Sequence, residues 1–213
     1  MYPTNVQTIH FGNRSIDLLV PNQVDVKKLY KALSEENPNT HFPFWTQVWP
    51  SAIAMAQFIV QENHRFFGKH VTELAAGLGL PSFVVSEFAN QVYCTDYLQE
   101  AVEVMEQSVT YHGIKNITCG IIDWNNMPTN FPKTEIVLVS DVNYNPVDFE
   151  ILYQVLLGFL QKDCTLILTT PQRLLAKPFI ERLLPFCDSS EEMTIIHFES
   201  EVKISILVLG CKS

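Results

Sequence analysis

The chain has 213 residues, enough for one domain of about 100–200 residues plus a short appended segment, and too few for a second full domain. Hydrophobic residues make up 47% and charged residues only 17%, which excludes a disordered chain and predicts a sizeable core. The 14 basic and 23 acidic residues leave a net charge of -9, which repels phosphate backbones, so nucleic acid is not an expected partner. In chain order, two alternating apolar runs at 7–11 and 15–20 flank Gly12-Asn13-Arg14 and predict an N-terminal β-hairpin. Apolar residues at helical spacing predict a helix over 24–36, ending before Asn37-Pro38-Asn39. A second helix is expected over 50–62, with Pro50 in its first turn and Trp49 where it begins.

After Gly68 the pattern changes to short apolar runs alternating with helical segments. Strands are predicted at 70–75, 91–95, 116–122, 135–140 and 164–170, with helices at 81–89, 97–111 and 147–161 between them. Such alternation means parallel strands with crossover helices on both faces. A further helix at 177–184 leads to strands at 193–198 and 202–209, whose three-residue separation forces antiparallel pairing. The expected fold is therefore α/β, doubly wound and Rossmann-like, with five parallel strands and a C-terminal antiparallel hairpin. Residues 1–67 are expected to form a hairpin and helical cover, and 68–213 the main domain.

The five cysteines are odd in number and lack C-x-x-C spacing; Cys94, Cys119, Cys164 and Cys211 lie in apolar runs and read as buried free thiols in a reducing compartment. The N-terminus lacks a basic stretch followed by an apolar one, and the apolar part of the 37–61 stretch is too short to span a bilayer. A cytoplasmic chain without a membrane partner is expected. The 6 histidines are dispersed, so no metal site is expected.

The first strand of the main domain runs into the sequence ELAAGLGLPS at 73–82. A strand, a glycine turn and a helix present backbone amides to a nucleotide, and Gly77 and Gly79 have no Cβ to block its approach. Asp96, ending the second strand, is placed to accept hydrogen bonds from ribose hydroxyls or to cap the helix that follows. After the third strand, Asp123 is placed for an adenine amine and Trp124 for the face of the base. Glu73, a charge on an apolar strand, needs a partner, and backbone amides of the glycine turn are the expected one. A dinucleotide site would want G-x-G-x-x-G and usually a sixth parallel strand; the pattern E-x-A-x-G-x-G with a terminal hairpin fits S-adenosylmethionine better.

With these blocks in place the chain resembles the seven-stranded S-adenosylmethionine-dependent methyltransferases, and among them family 16, a group of protein lysine methyltransferases. FWTQVWPSA at 44–52 is similar to the family's block ending in a tryptophan that helps cover the cofactor, which implies that role for Trp49. ELAAGLGLPS is similar to its cofactor loop, Asp123-Trp124 to its adenine-side pair, and SDVNY at 140–144, with Ser140, to its D-x-x-Y block. Ala75 departs from the family, which usually has glycine there, and its methyl group crowds the place of the methionine carboxylate.

The fourth strand lacks the [N/D]-P-P-[Y/F] turn of enzymes that methylate planar amides. A lysine, with a reference pKa of about 10.4, must instead lose a proton before it attacks. Asp141 is placed to orient the amine and favour that loss, and Tyr144 to line the transfer channel. Alternatives for these two are a helix-capping carboxylate and a packing aromatic. The resemblance implies methyl transfer to a protein lysine; a small amine as acceptor, or a non-catalytic module that binds the cofactor, remain the alternatives.

Overall fold

The N-terminal hairpin consists of β1 (Thr4–Phe11) and β2 (Arg14–Pro21), antiparallel in register from Thr4 opposite Pro21 to Phe11 opposite Arg14. Gly12 in the link has φ +59°, the positive value that a two-residue turn demands. This is a computed structural model and it describes residues 2–210, so Cys211 lies outside the described residues. Helix α1 (Gln23–Glu36) starts at Asn22, whose side chain accepts from the amides of Val24 and Asp25. Helix α2 (Pro50–Gln61) follows Trp49 as its N-cap, with proline where an amide would lack a partner.

Seven further strands make one sheet in the order β5-β4-β3-β6-β7-β9-β8. Strands β3 (His70–Leu74), β4 (Gln91–Asp96), β5 (Ile117–Ile121), β6 (Ile136–Ser140) and β7 (Thr165–Pro171) are parallel; β9 (Ser200–Leu209) pairs antiparallel with both β7 and β8 (Cys187–His197). The five-plus-two sheet and the hairpin are as the sequence predicts.

The crossover helices are α3 (Leu80–Val85), α4 (Gln99–His112), α5 (Phe149–Leu160) and α6 (Lys177–Leu183). One core lies between the sheet and α2, α3 and α4, and takes in Ile9, Phe11, Leu18 and Val20 of the hairpin. A second core, built on Val137, Val139, Leu166 and Leu168, packs against α5 and α6. Alternate residues of β6 and β7 thus serve opposite cores, as the two-residue period of a doubly covered strand requires.

Several boundaries differ from expectation, β1 by starting at Thr4 rather than at residue 7, and three differences have a visible cause. Helix α3 stops at Val85, because the Ser86 hydroxyl donates to the Phe83 carbonyl at 2.7 Å and takes the acceptor that another turn would use. Residues 146–148 form a short 3-10 turn ahead of α5, capped by Asn145 rather than Asp141. Strand β8 begins at Cys187, well before residue 193, since its polar run is an exposed sheet edge held by backbone pairing and carries no apolar alternation.

Candidate functional site

The strand order reverses beside β3: β4 and β5 extend to one side, β6 and β7 to the other. Ligands of doubly wound sheets bind at such a switch point, outside the carboxyl ends of the strands. A cavity of about 610 Å³ opens there, within the range of small-molecule sites. Its walls come from the ends of β3, β4, β6 and β7, and its cover from residues 41–49 and Ala52.

On the β3 side, Ala75, Gly77 and Gly79 all line the cavity with positive φ, +51°, +58° and +74°. The two glycines meet different constraints. A Cβ on Gly77 would only touch the Trp45 carbonyl, at 3.4 Å, so this glycine is favoured by its positive φ. A Cβ on Gly79 would lie 2.7 Å from the Cys94 sulfur, so this glycine is demanded by packing against β4. Ala75 does what glycine does more cheaply, and holds a left-handed conformation with its methyl group on the cavity wall.

Asp96 is buried at the end of β4 and lines the cavity. Its Oδ2 accepts from the Gly77 amide at 2.9 Å and its Oδ1 from the Leu98 amide at 3.1 Å. Burial pushes its pKa up, while the Gly77 and Leu98 amides pull it down. Leu98 is the N-cap of α4, so Asp96 is a turn residue that ties β4 to the glycine turn and keeps lone pairs toward the cavity.

Glu73 is fully buried and does not line the cavity. Its expected partners, the glycine amides, are replaced by Ser82: Oε2 accepts from the Ser82 amide at 2.9 Å and from its hydroxyl at 2.6 Å. Oε1 has no partner, and burial raises the pKa from the ordinary 4.5 to about 8. Glu73 therefore fixes the start of α3 from below, and its burial favours the neutral acid. Asp123 also departs from expectation: its Oδ1 accepts from the amide and side-chain nitrogen of Asn125, both at 2.9 Å, and it lies outside the cavity wall, whereas Trp124 is part of that wall.

The cover is tied down by its own backbone. Trp49 donates its indole N–H to the Phe44 carbonyl at 2.8 Å, Thr46 its hydroxyl to the Pro43 carbonyl at 2.8 Å, and Gln23 reaches the Thr46 carbonyl at 2.8 Å. Phe44 lies between Trp49 and Tyr144, with ring centroids 6.0 and 6.1 Å away, so the cover closes onto the far wall.

That far wall carries Ser140, Asp141, Tyr144, Asn145, Asp148 and Arg173. Tyr144 is about half exposed; burial of its remainder, followed by the charges of Asp148, Asp96 and Asp141, raises its pKa, so the phenol stays protonated. Asp141 sits at φ +57° and accepts both terminal nitrogens of the Arg173 guanidinium. Arg173 and Asp148 are the residues that sequence reasoning missed. The available signal was a charged residue just beyond the carboxyl end of a central strand, where β7 stops at Pro171. Among the described residues, no three His, Cys, Asp or Glu side chains gather as a metal site, and no helix is long and apolar enough to cross a membrane.

The sheet, its terminal hairpin and the cavity at the switch point define a methyltransferase fold. Human methyltransferase 10 domain containing protein matches it with a TM-score of 0.59 at 7% identity, covering 90% of this chain and 99% of that one. TrmK of M. capricolum, solved in complex with S-adenosyl-homocysteine, matches with a TM-score of 0.55 at 10% identity, covering 78% and 70%. A family model described as lysine methyltransferase matches residues 35–184, and the chain belongs to that family. Among curated relatives, human histone-arginine methyltransferase METTL23 is 31% identical over 110 residues, 48% of this chain and 57% of the relative. Mouse EEF1A lysine methyltransferase 3 is 30% identical over 151 residues, 65% of this chain and 62% of the relative. The chain thus spans less than two thirds of the length of these relatives.

Family and fold imply S-adenosylmethionine, and the residues present fit it. The turn of Ala75, Gly77 and Gly79 borders the cavity, Asp96 has acceptor capacity for ribose hydroxyls, and Trp124 supplies an aromatic face, all lining one cavity.

Proposed function

We propose that the chain is an S-adenosylmethionine-dependent N-methyltransferase acting on a lysine side chain of a protein. The observation that carries this reading is one cavity running from the glycine turn and Asp96 to Tyr144, Asp148 and the Asp141–Arg173 pair. When bound, S-adenosylmethionine supplies an electrophilic methyl group on a sulfonium. Asp96, Gly77, Gly79, Ala75 and Trp124 hold that group on the β3–β4 side, with Trp49 in the cover and Glu73 fixing the loop from beneath. The carboxylates opposite attract a cationic acceptor, whose proton leaves to water before the nitrogen attacks. Tyr144, held as a phenol, lines the path and donates a hydrogen bond. Alignment of the two groups in a closed cavity supplies most of the acceleration.

A second reading, an arginine acceptor, is supported by the Asp141 carboxylate already accepting a guanidinium fork and by the likeness to METTL23, a histone-arginine methyltransferase. Calorimetry with S-adenosylhomocysteine is the first test, with saturable binding expected; its absence sinks both enzyme readings. Radiolabelled methyl transfer into a lysate from cells lacking the protein, followed by acid hydrolysis, is expected to yield labelled methyllysine in protein. Labelled methylarginine selects the second reading, and label confined to small molecules overturns both.

A further inference from the structure

Asp141 is anchored by buried neighbours, whereas the arginine paired with it stands on an exposed turn. The Asp141 amide donates to the Thr169 carbonyl at 2.9 Å. The residues that follow, Val142 and Asn143, are buried, with the Asn143 side chain accepting from the Thr170 hydroxyl at 2.8 Å. The Asp141 side chain is only 10% exposed and faces the cavity. Arg173 is 36% exposed and opens a surface turn in which Leu174 and Leu175 are 89% and 71% exposed; the first buried anchor is Ala176. The carboxylate is the better anchored partner, and the guanidinium is the more exposed one.

Both carboxylate oxygens are taken by Arg173. A second cation approaching the same carboxylate meets the like charge of the guanidinium and finds the best lone pairs already used. We propose that Arg173 is a displaceable occupant of an alkyl-cation subsite at Asp141, standing where the cationic head of the acceptor binds. A ligand displaces it only by bringing N–H donors and a positive charge of its own, an alkylammonium or an alkylguanidinium. Neutral and anionic groups are refused because they leave the buried carboxylate uncompensated. Arg173 is thereby a specificity-determining residue. The proposal rests on the methyltransferase reading for its role in transfer, while the subsite itself is defined by Asp141 and Arg173 alone.

The test uses the full chain, with n-butylammonium and methylguanidinium chloride as probes, titrated at constant ionic strength and followed by amide chemical shifts around Asp141. Arg173→Ala is expected to bind at least one probe ten-fold or more tightly than the unaltered chain, and the double variant Arg173→Ala/Asp141→Asn to lose that gain. Arg173→Lys, which keeps a charge but not the fork, is expected to fall between them. Equal binding by Arg173→Ala and the unaltered chain, or a gain that survives Asp141→Asn, overturns the proposal. Should Arg173→Ala melt at a lower temperature, Arg173→Gln keeps the side-chain stem and answers the same question. The probe that binds more tightly tells an ammonium head from a guanidinium head, and either preference supports the subsite. Failure of S-adenosylhomocysteine to bind sinks the enzyme reading and leaves this result standing.

Discussion

The two walls of the cavity are built on different principles. At the ends of β3 and β4, Tyr97 is exposed but the groups that shape the turn are buried or tied to a neighbour: Asp96 to Gly77, Glu73 to Ser82, with Gly79 packed against the Cys94 sulfur. At the ends of β6 and β7, Asp141 is largely buried but Tyr144 on the wall, and Val147, Leu174 and Leu175 on the turns behind it, are mostly exposed. One wall resembles a core and the other a rim. A constant cofactor suits a wall fixed by packing, whereas a wall that admits and releases an acceptor suits contacts that cost little to break.

The largest expected effect tests the packed wall. Gly79→Ala places a Cβ 2.7 Å from the Cys94 sulfur at a φ of +74°, combining overpacking with left-handed strain, for a loss of about 4 kcal/mol in urea unfolding. A loss under about 1 kcal/mol would mean that the wall yields as readily as the rim.

Glu73 comes next. Its proton, held in the folded chain up to about pH 8, leaves the unfolded chain above the ordinary 4.5. The unfolded state therefore binds fewer protons between these values, and stability falls as pH rises through that window, by on the order of 3 kcal/mol. Glu73→Gln keeps an acceptor for Ser82 and removes the titration. Its stability relative to the unaltered chain is expected to rise from pH 5 to pH 8 in parallel urea titrations; a constant difference would show that Glu73 does not hold a proton.

The contrast between the walls also explains what could be read from sequence. The packed wall is local: ELAAGLGLPS carries strand, turn and helix start within ten residues, and Asp96 follows at the end of the next strand, so periodicity and glycine placement locate both. Glu73 was recognisable as a buried acid, but its partner was not, because glycine amides and the Ser82 amide differ only by how the turn folds. The rim is non-local. Asp141 meets Arg173 across the whole of α5 and β7, and Phe44 meets Tyr144 from ahead of the entire β3–β6 segment. No periodicity encodes such pairings; they follow from the sheet order. Strand β8 was legible only where Met193, Ile195 and the residues after it are apolar, since an edge strand needs no alternation to pair.

Ala75 is the one place where the packed wall is strained. Its φ of +51° costs an alanine about 1 kcal/mol or more, offset in part by the greater freedom that glycine has in the unfolded chain. Ala75→Gly is expected to gain about 0.5–1 kcal/mol in urea unfolding. A destabilised variant would mean that the methyl group packs against something that repays its strain.

The smallest effect belongs to the rim. Leu174→Ser with Leu175→Ser removes two apolar side chains that are 89% and 71% exposed, so stability is expected to stay within about 0.5 kcal/mol of the unaltered chain, and S-adenosylhomocysteine affinity to stay level. A larger loss would show that this turn is packed in solution, and the two walls would then differ in position only. An unchanged stability leaves the turn free to move with Arg173, as displacement of that side chain from Asp141 requires: the carboxylate stays where β6 and Thr169 hold it, and the turn carries the guanidinium away.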